Sequence, residues 1–194
     1  MGNREALLQG ARKCLADKGY ARTTARDIAA ASGVSLAAIG YHFRTTEALL
    51  NEAVFEAIGE WGQQLERILA QAARGDGEPL GTFEAVWTAV IESFGEYRGV
   101  LAASYELMVR AQEVPEVHRR LAAAAQEARH ALAALFAGVD PTTEPERAHR
   151  VGSFYYALLS GLLTQWLIDP DQAPSGRDLA AALDELLVAQ RIPR

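Results

Sequence analysis

Residue types that carry catalysis or bind metals are thin in this chain of 194 residues. Its four histidines stand at positions 42, 118, 130 and 149, outside any HExxH pattern, and no glycine-rich phosphate loop is present. His118 and His130 read as surface residues of a charged helix. The single Cys14 rules out an intrachain disulfide and a cysteine-based zinc site. Its neighbours Leu7, Leu8, Ala11 and Leu15 mark it as a buried thiol. What the chain does concentrate is charge. Residues 1–46 hold 7 Lys+Arg against 3 Asp+Glu, a formal +4, whereas residues 47–194 hold 12 against 22, a formal −10. A basic head on an acidic body is the pattern of a phosphate-facing module joined to a domain with another task.

The elements that must position this head follow from caps and periodicity. Residues 4–18 place Leu7, Leu8, Ala11, Cys14 and Leu15 at helical spacing and end at Gly19, which suits a left-handed C-cap. Thr24 can cap a second helix, with Asp27 favouring its positive end, that runs to Ser32-Gly33. Ser35 then caps a third, LeuAlaAlaIleGlyTyrHisPhe. Two short helices around a tight glycine turn make a helix-turn-helix over Thr24 to Phe43, with Ile28, Ile39 and Phe43 as its core. A fourth helix starts at Thr46-Glu47, and its apolar positions from Leu49 to Ile68 recur every three or four residues. The glycine- and proline-bearing stretch 74–81 predicts a loop. Beyond it, helices are expected near 82–97, 99–112, 115–137, 144–168 and 177–190, punctuated by Gly99, Pro115, the Gly138 to Pro145 turn and the Pro170 to Gly176 loop. The expectation is all-α, nine helices. A hydrophobic content of 49% argues against disorder. No apolar run reaches the roughly 20 residues of a membrane span, and MGNREALLQGARK has no signal core, so a cytoplasmic protein without membrane contact is expected.

The segment Gly19 to Leu50 strongly resembles the tetracycline-repressor (TetR/AcrR) family of bacterial regulators. The resemblance lies in the capping Thr24, the core residues Ile28 and Ala29, the turn Gly33-Val34, the cap Ser35, and Tyr41-His42-Phe43 leading into Thr45-Thr46-Glu47. It implies a symmetric homodimer whose recognition helices enter successive major grooves of double-stranded DNA on a palindromic operator. It also implies roles for individual residues. Thr24 and the backbone beside it would bind phosphate, and Arg26 phosphate or a guanine edge. Ser35, Leu36, Ala37 and Ala38 would form a face of short side chains against the bases. Tyr41 and His42 would donate to phosphate. Two positions depart from the family. Gly40 stands where many relatives place an aromatic residue, and it suggests close backbone approach to DNA. Thr46 replaces a common phosphate-binding lysine; its hydroxyl can still cap the fourth helix and that helix's first amides can bind phosphate, but the loss of one cation should flatten the salt slope by about one.

In the body, residues 147–168 are apolar on two sides. With the last helix they suggest a dimer interface of Tyr155, Leu158, Leu159, Leu162, Leu163, Trp166, Leu179, Leu183 and Leu186, the alternative being monomer core. Trp61, Leu65, Trp87, Ile91, Phe94, Tyr97, Tyr105, Met108 and Phe154 suit an apolar pocket for a small-molecule effector, or plain core. Glu92, Glu96 and Glu106 offer carboxylates to a cation, although such charges are ordinarily solvated. No cofactor or metal is expected. The division is residues 1–46 for a helix-turn-helix DNA-binding domain and 47–194 for a helical effector-binding and dimerisation domain. The function expected is a regulator, a repressor released from its operator by an effector, and not an enzyme. A protein-docking adaptor would leave the basic head and its donors unexplained.

Overall fold

The computed structural model describes residues 2–72 and 78–189, and over them the chain is all helix, with no strand. The elements are α1 (Asn3–Lys18), α2 (Ala25–Ser32), α3 (Leu36–Phe43), α4 (Thr46–Ala72), α5 (Pro79–Ala111), α6 (Pro115–Ala137), α7 (Pro145–Ile168) and α8 (Gly176–Ala189). The all-α expectation holds with eight helices among the described residues instead of nine. The stretches 82–97 and 99–112 are one 33-residue helix that passes through Gly99 without a break. Gly99 is there for contact: a Cβ at this position would lie 2.4 Å from the Ala16 Cα of α1. Helix α5 also begins at Pro79, inside the expected loop, where proline's fixed φ and missing N–H suit a first helical position. Residues 74–77 of that loop, and residue 190 of the last expected helix, lie outside the described residues.

The chain folds as two compact units. One comprises the chain up to Gly62 together with Tyr97–Ala124; the other comprises Gln63–Glu96 and the chain from Ala125 onward. In the first, the α1 stripe of Leu7, Leu8, Ala11, Cys14 and Leu15 is buried against Ile28 of α2, Ile39 of α3, Leu49, Leu50 and Val54 of α4, Leu107 of α5 and Val117 of α6. Each fully buried leucine of this set stabilises by roughly 1.5–3 kcal/mol relative to exposure. Burial also pushes the Cys14 thiol up, as expected of an inert packed cysteine.

In the second unit Trp87 and Phe94 are fully buried. Trp87 stacks on Phe136 at 5.4 Å between ring centroids, and Phe136 on Tyr155 at 4.2 Å. Helices α6 and α7 touch backbone to backbone at Gly152, where a Cβ would meet the Arg129 carbonyl at 2.1 Å. By length and composition alone α7 would be long and apolar enough to cross a membrane, a test that a core helix of a soluble protein also passes, and 22% of its most apolar window is buried. Its exposed positions Phe154, Ala157, Gly161, Thr164 and Ile168 recur every three or four residues along one side.

Candidate nucleic-acid interface

The start of α2 is fixed by a reciprocal cap. Thr24 Oγ1 accepts the Asp27 N–H at 3.2 Å, and Asp27 Oδ2 accepts both the Thr24 N–H at 3.0 Å and the Thr24 hydroxyl at 2.7 Å. Lys18 Nζ lies 2.5 Å from the other Asp27 oxygen. This ammonium, with the Thr24 bonds, lowers the Asp27 carboxyl to about 2. The Thr24 hydroxyl is thus already engaged inside the chain. Gly10 lets α2 close onto α1, since a Cβ there would meet Ser32 Cβ at 2.8 Å. Helix α2 ends at Gly33 in the left-handed conformation, φ 68° and ψ 15°, and this makes the tight turn of the expected helix-turn-helix.

Across the turn, Ile39 of α3 is buried, while Val34, Ala38 and Phe43 pack partly buried on the same core. The opposite face is bare: Ser35, Ala37 and Gly40 are exposed, Leu36 is 50% exposed and Tyr41 85% exposed. His42 is half-buried with the Tyr41 ring edge-on at 4.9 Å. Two capping expectations need correction. Ser35 occupies the cap position of α3 with extended backbone, but its side chain makes no capping bond. At α4 the cap is Thr45, whose Oγ1 accepts the Ala48 N–H at 3.0 Å; Thr46 is the first helical residue. Beyond its own helical neighbours, Gly40 has nothing within 4 Å of a would-be Cβ, so no such contact among the described residues requires glycine there.

The basic charges of this module are unequally committed. Arg4 pairs with Glu52, Arg12 with Glu60 and Lys18 with Asp27. Arg26 and Arg44 are exposed, and among the described residues neither has an ion-pair partner. Sequence reasoning passed over Arg44, whose backbone takes φ 68°, ψ −50°, while the Thr45 N–H donates to the Phe43 carbonyl at 2.9 Å. No sequence signal marks that turn, because arginine is not a turn-forming residue.

A tether holds the turn between α1 and α2. Glu106 of α5 accepts the Tyr20 N–H at 3.3 Å and the Ala21 N–H at 3.0 Å. The buried Tyr20 donates its hydroxyl to Asn51 Oδ1 of α4 at 2.6 Å and carries the Arg110 guanidinium over its ring at 5.1 Å. Glu106 therefore serves backbone amides, not a cation. Glu92 and Glu96 are exposed, and no cluster of three metal-ligating residues occurs among the described residues.

The expected effector residues fall in both units. Trp61 is buried, Tyr97 and Tyr105 half-buried and Met108 exposed in the first; Leu65, Trp87 and Phe94 are buried, Ile91 half-buried and Phe154 exposed in the second. The second unit contains a half-open cleft of about 410 Å³, lined among others by Leu69, Phe83, Val86, Phe136, Tyr155 and Leu183. Of the residues expected at the dimer seam, Leu159, Leu162 and Leu163 are buried within the chain. Tyr155, Leu158, Trp166, Leu179 and Leu183 are half-buried, and Leu186 is 63% exposed.

Comparison with known proteins agrees with this geometry. The family model for bacterial regulatory proteins of the tetR family matches residues 7–53, and that for a tetracyclin repressor-like C-terminal domain matches residues 78–189. An HTH-type transcriptional repressor of Mycobacterium tuberculosis is 39% identical over 71 residues, covering 37% of this chain and 34% of the relative. The HTH-type transcriptional repressor KstR2 of Mycolicibacterium smegmatis is 30% identical over 87 residues, 43% of this chain and 42% of the relative. These matches thus span well under half of the curated relatives. The crystal structure of the multidrug binding protein EbrR complexed with imidazole superposes with a TM-score of 0.68 at 23% identity, covering all of this chain and 97% of that one. With the two family models meeting the head and most of the remainder, this chain belongs to the TetR family of bacterial regulatory proteins.

Proposed function

We propose that the protein is a sequence-specific, DNA-binding transcriptional regulator, a repressor that leaves its operator when a small molecule binds. The observation that carries this reading is the bare face of α3. Leu36, Ala37, Gly40 and Tyr41 stand exposed on a helix whose other side is locked into a core, beside an uncommitted Arg26. Small side chains let α3 sit deep in a major groove and touch thymine methyls, while Arg26 meets phosphate or a guanine edge. Tyr41 and His42 donate to phosphate, and the first amides of α4 at Thr46 serve the role that a lysine would otherwise fill. Because Thr24 is engaged by Asp27, its part in binding is to fix the amides of α2.

Residues 1–46 form the DNA-binding part and residues 47–194 the effector-binding and dimerising part. The uncovered apolar side of α7, with Phe154 and Ile168 exposed, and the exposed Leu186 and Val188 of α8 suit a two-fold seam with a second copy. Leu159, Leu162 and Leu163 support that seam from beneath. A symmetric dimer reads a palindromic duplex with half-sites about one helical turn apart. The aromatic cleft of the second unit is the place for an effector, which acts by binding one dimer geometry better than the other. The solved complexes of EbrR with imidazole and with proflavin supply a family precedent for small ligands. A cytoplasmic location follows from this role.

The test is selection of bound duplexes from a random-sequence pool at near-physiological salt, with Arg26→Ala plus Tyr41→Phe as the control protein. A palindromic motif enriched by the natural protein and lost with the variant is expected. Equal enrichment by both proteins would refute the assignment of the face.

A further inference from the structure

We infer that Arg44 is a DNA-phosphate contact, presented by a strained γ-turn at the exit of α3; the inference rests on the DNA-binding reading above. Arg44 has φ 68° and ψ −50°, and the Thr45 N–H closes back on the Phe43 carbonyl at 2.9 Å. An i→i+2 hydrogen bond around a residue with these angles is the rarer, strained form of γ-turn. Among the described residues Arg44 is the one non-glycine with positive φ, a region where Cβ meets the backbone. Glycine would relieve that strain, as it does at Gly19 and Gly33 in the same module.

No interaction of the Arg44 side chain within the described residues offsets the cost. It is exposed and forms no hydrogen bond or ion pair there, whereas Arg4, Arg12 and Lys18 of the same module are each neutralised by a carboxylate. The backbone bonds from Arg44 to Gly40 and from Thr45 to Phe43 hold the turn, but the choice of arginine over an unstrained glycine has no partner among the described residues and points to a function outside the chain. The position says which. Arg44 follows the exposed Tyr41 by three residues and precedes Thr45, the cap of α4, so in the chain it stands between Tyr41-His42 and the first amides of α4, both assigned to phosphate above. A guanidinium offers a rigid fork of donors that matches a phosphate oxygen pair. The turn that sets Arg44 also places Thr45 to cap α4, whose first amides lie next to it in the chain.

A phosphate contact carries no sequence information, so a labelled random-sequence duplex of about 30 base pairs is a sufficient probe. Affinity is measured against salt for the natural protein, Arg44→Gly and Arg44→Gln, together with the thermal midpoint of each, and Lys13→Gln, an exposed cation of α1, is the control. Arg44→Gly should bind about tenfold more weakly and flatten the salt slope by about one per protomer, yet melt at a higher temperature. Arg44→Gln should lose the same affinity and slope without the gain in midpoint. Unchanged binding by either variant overturns the proposal, as does lost affinity with an unchanged slope or an equal slope change in Lys13→Gln. If the natural protein binds no duplex at all, the DNA-binding reading itself falls.

Discussion

Two glycines four residues apart on α5 should respond to the same substitution with opposite sign. In a helix interior Gly→Ala stabilises by about 1 kcal/mol, because alanine loses less backbone entropy. At Gly95, beyond its own helical neighbours, no described residue lies within 4 Å of the added Cβ, so Gly95→Ala should realise most of that gain. At Gly99 the new Cβ would stand 2.4 Å from Ala16 Cα, 3.0 Å from Ala16 O and 3.2 Å from Ala16 C. Carbon atoms pack best at about 3.5–4.0 Å, so α1 and α5 must part by roughly 1 Å. The obstacle is backbone, which cannot turn aside as a side chain would. Overpacking of this kind costs about 1–3 kcal/mol, toward the upper end here, and outweighs the helix gain. We expect Gly99→Ala to lose about 1–2 kcal/mol, a fall of about 3–6 °C in midpoint, and Gly95→Ala to gain about 2–3 °C. Circular dichroism melts of the two variants beside the natural protein decide the matter. A Gly99→Ala protein as stable as Gly95→Ala would show that Gly99 is not a contact between α1 and α5.

Three further outcomes follow from the geometry. Glu106→Ala strips the Tyr20 and Ala21 amides of their acceptor and should cost about 1–2 kcal/mol; hydrogen exchange at those two amides should quicken, and unchanged exchange would sink the tether. The Asp27 carboxyl is held at about 2 against an ordinary 3.8, so its contribution to stability is complete above about pH 4 and is lost as pH falls through 2. Acid titrations of Asp27→Asn should lack that component, and an identical acid profile would contradict it. Ile168→Asp with Leu186→Arg places charge on surfaces that are exposed in the single chain. Light scattering should then report the mass of one 21.0 kDa chain with helicity intact, whereas a retained dimer would move the seam elsewhere.

How much of this was legible from the sequence depended on how local the cause was. The helix-turn-helix could be read because Thr24, Asp27, Gly33 and the spacing of Ile28 and Ile39 act within a few residues of one another. Gly99 looked like a break because glycine's local preference carries no sign of Ala16, 83 positions earlier in the chain, which is the real reason for it. The cap of α4 was assigned one residue late, since Thr45 and Thr46 are chemically equal and only the backbone at Arg44 distinguishes them. Glu106 was unreadable for the same reason as Gly99: its partners are the amides of a distant turn. On α7 the periodicity placed apolar residues on two sides but could not say that Leu159, Leu162 and Leu163 are buried within the chain while Phe154 and Ile168 are not.

The most direct test of the account is protection of guanine N7, a major-groove atom, from methylation on a duplex bound by the full chain. Two protected windows about ten base pairs apart are expected, both lost in Arg26→Ala plus Tyr41→Phe. Binding that leaves every N7 reactive would contradict it, because α3 would then not lie in the major groove.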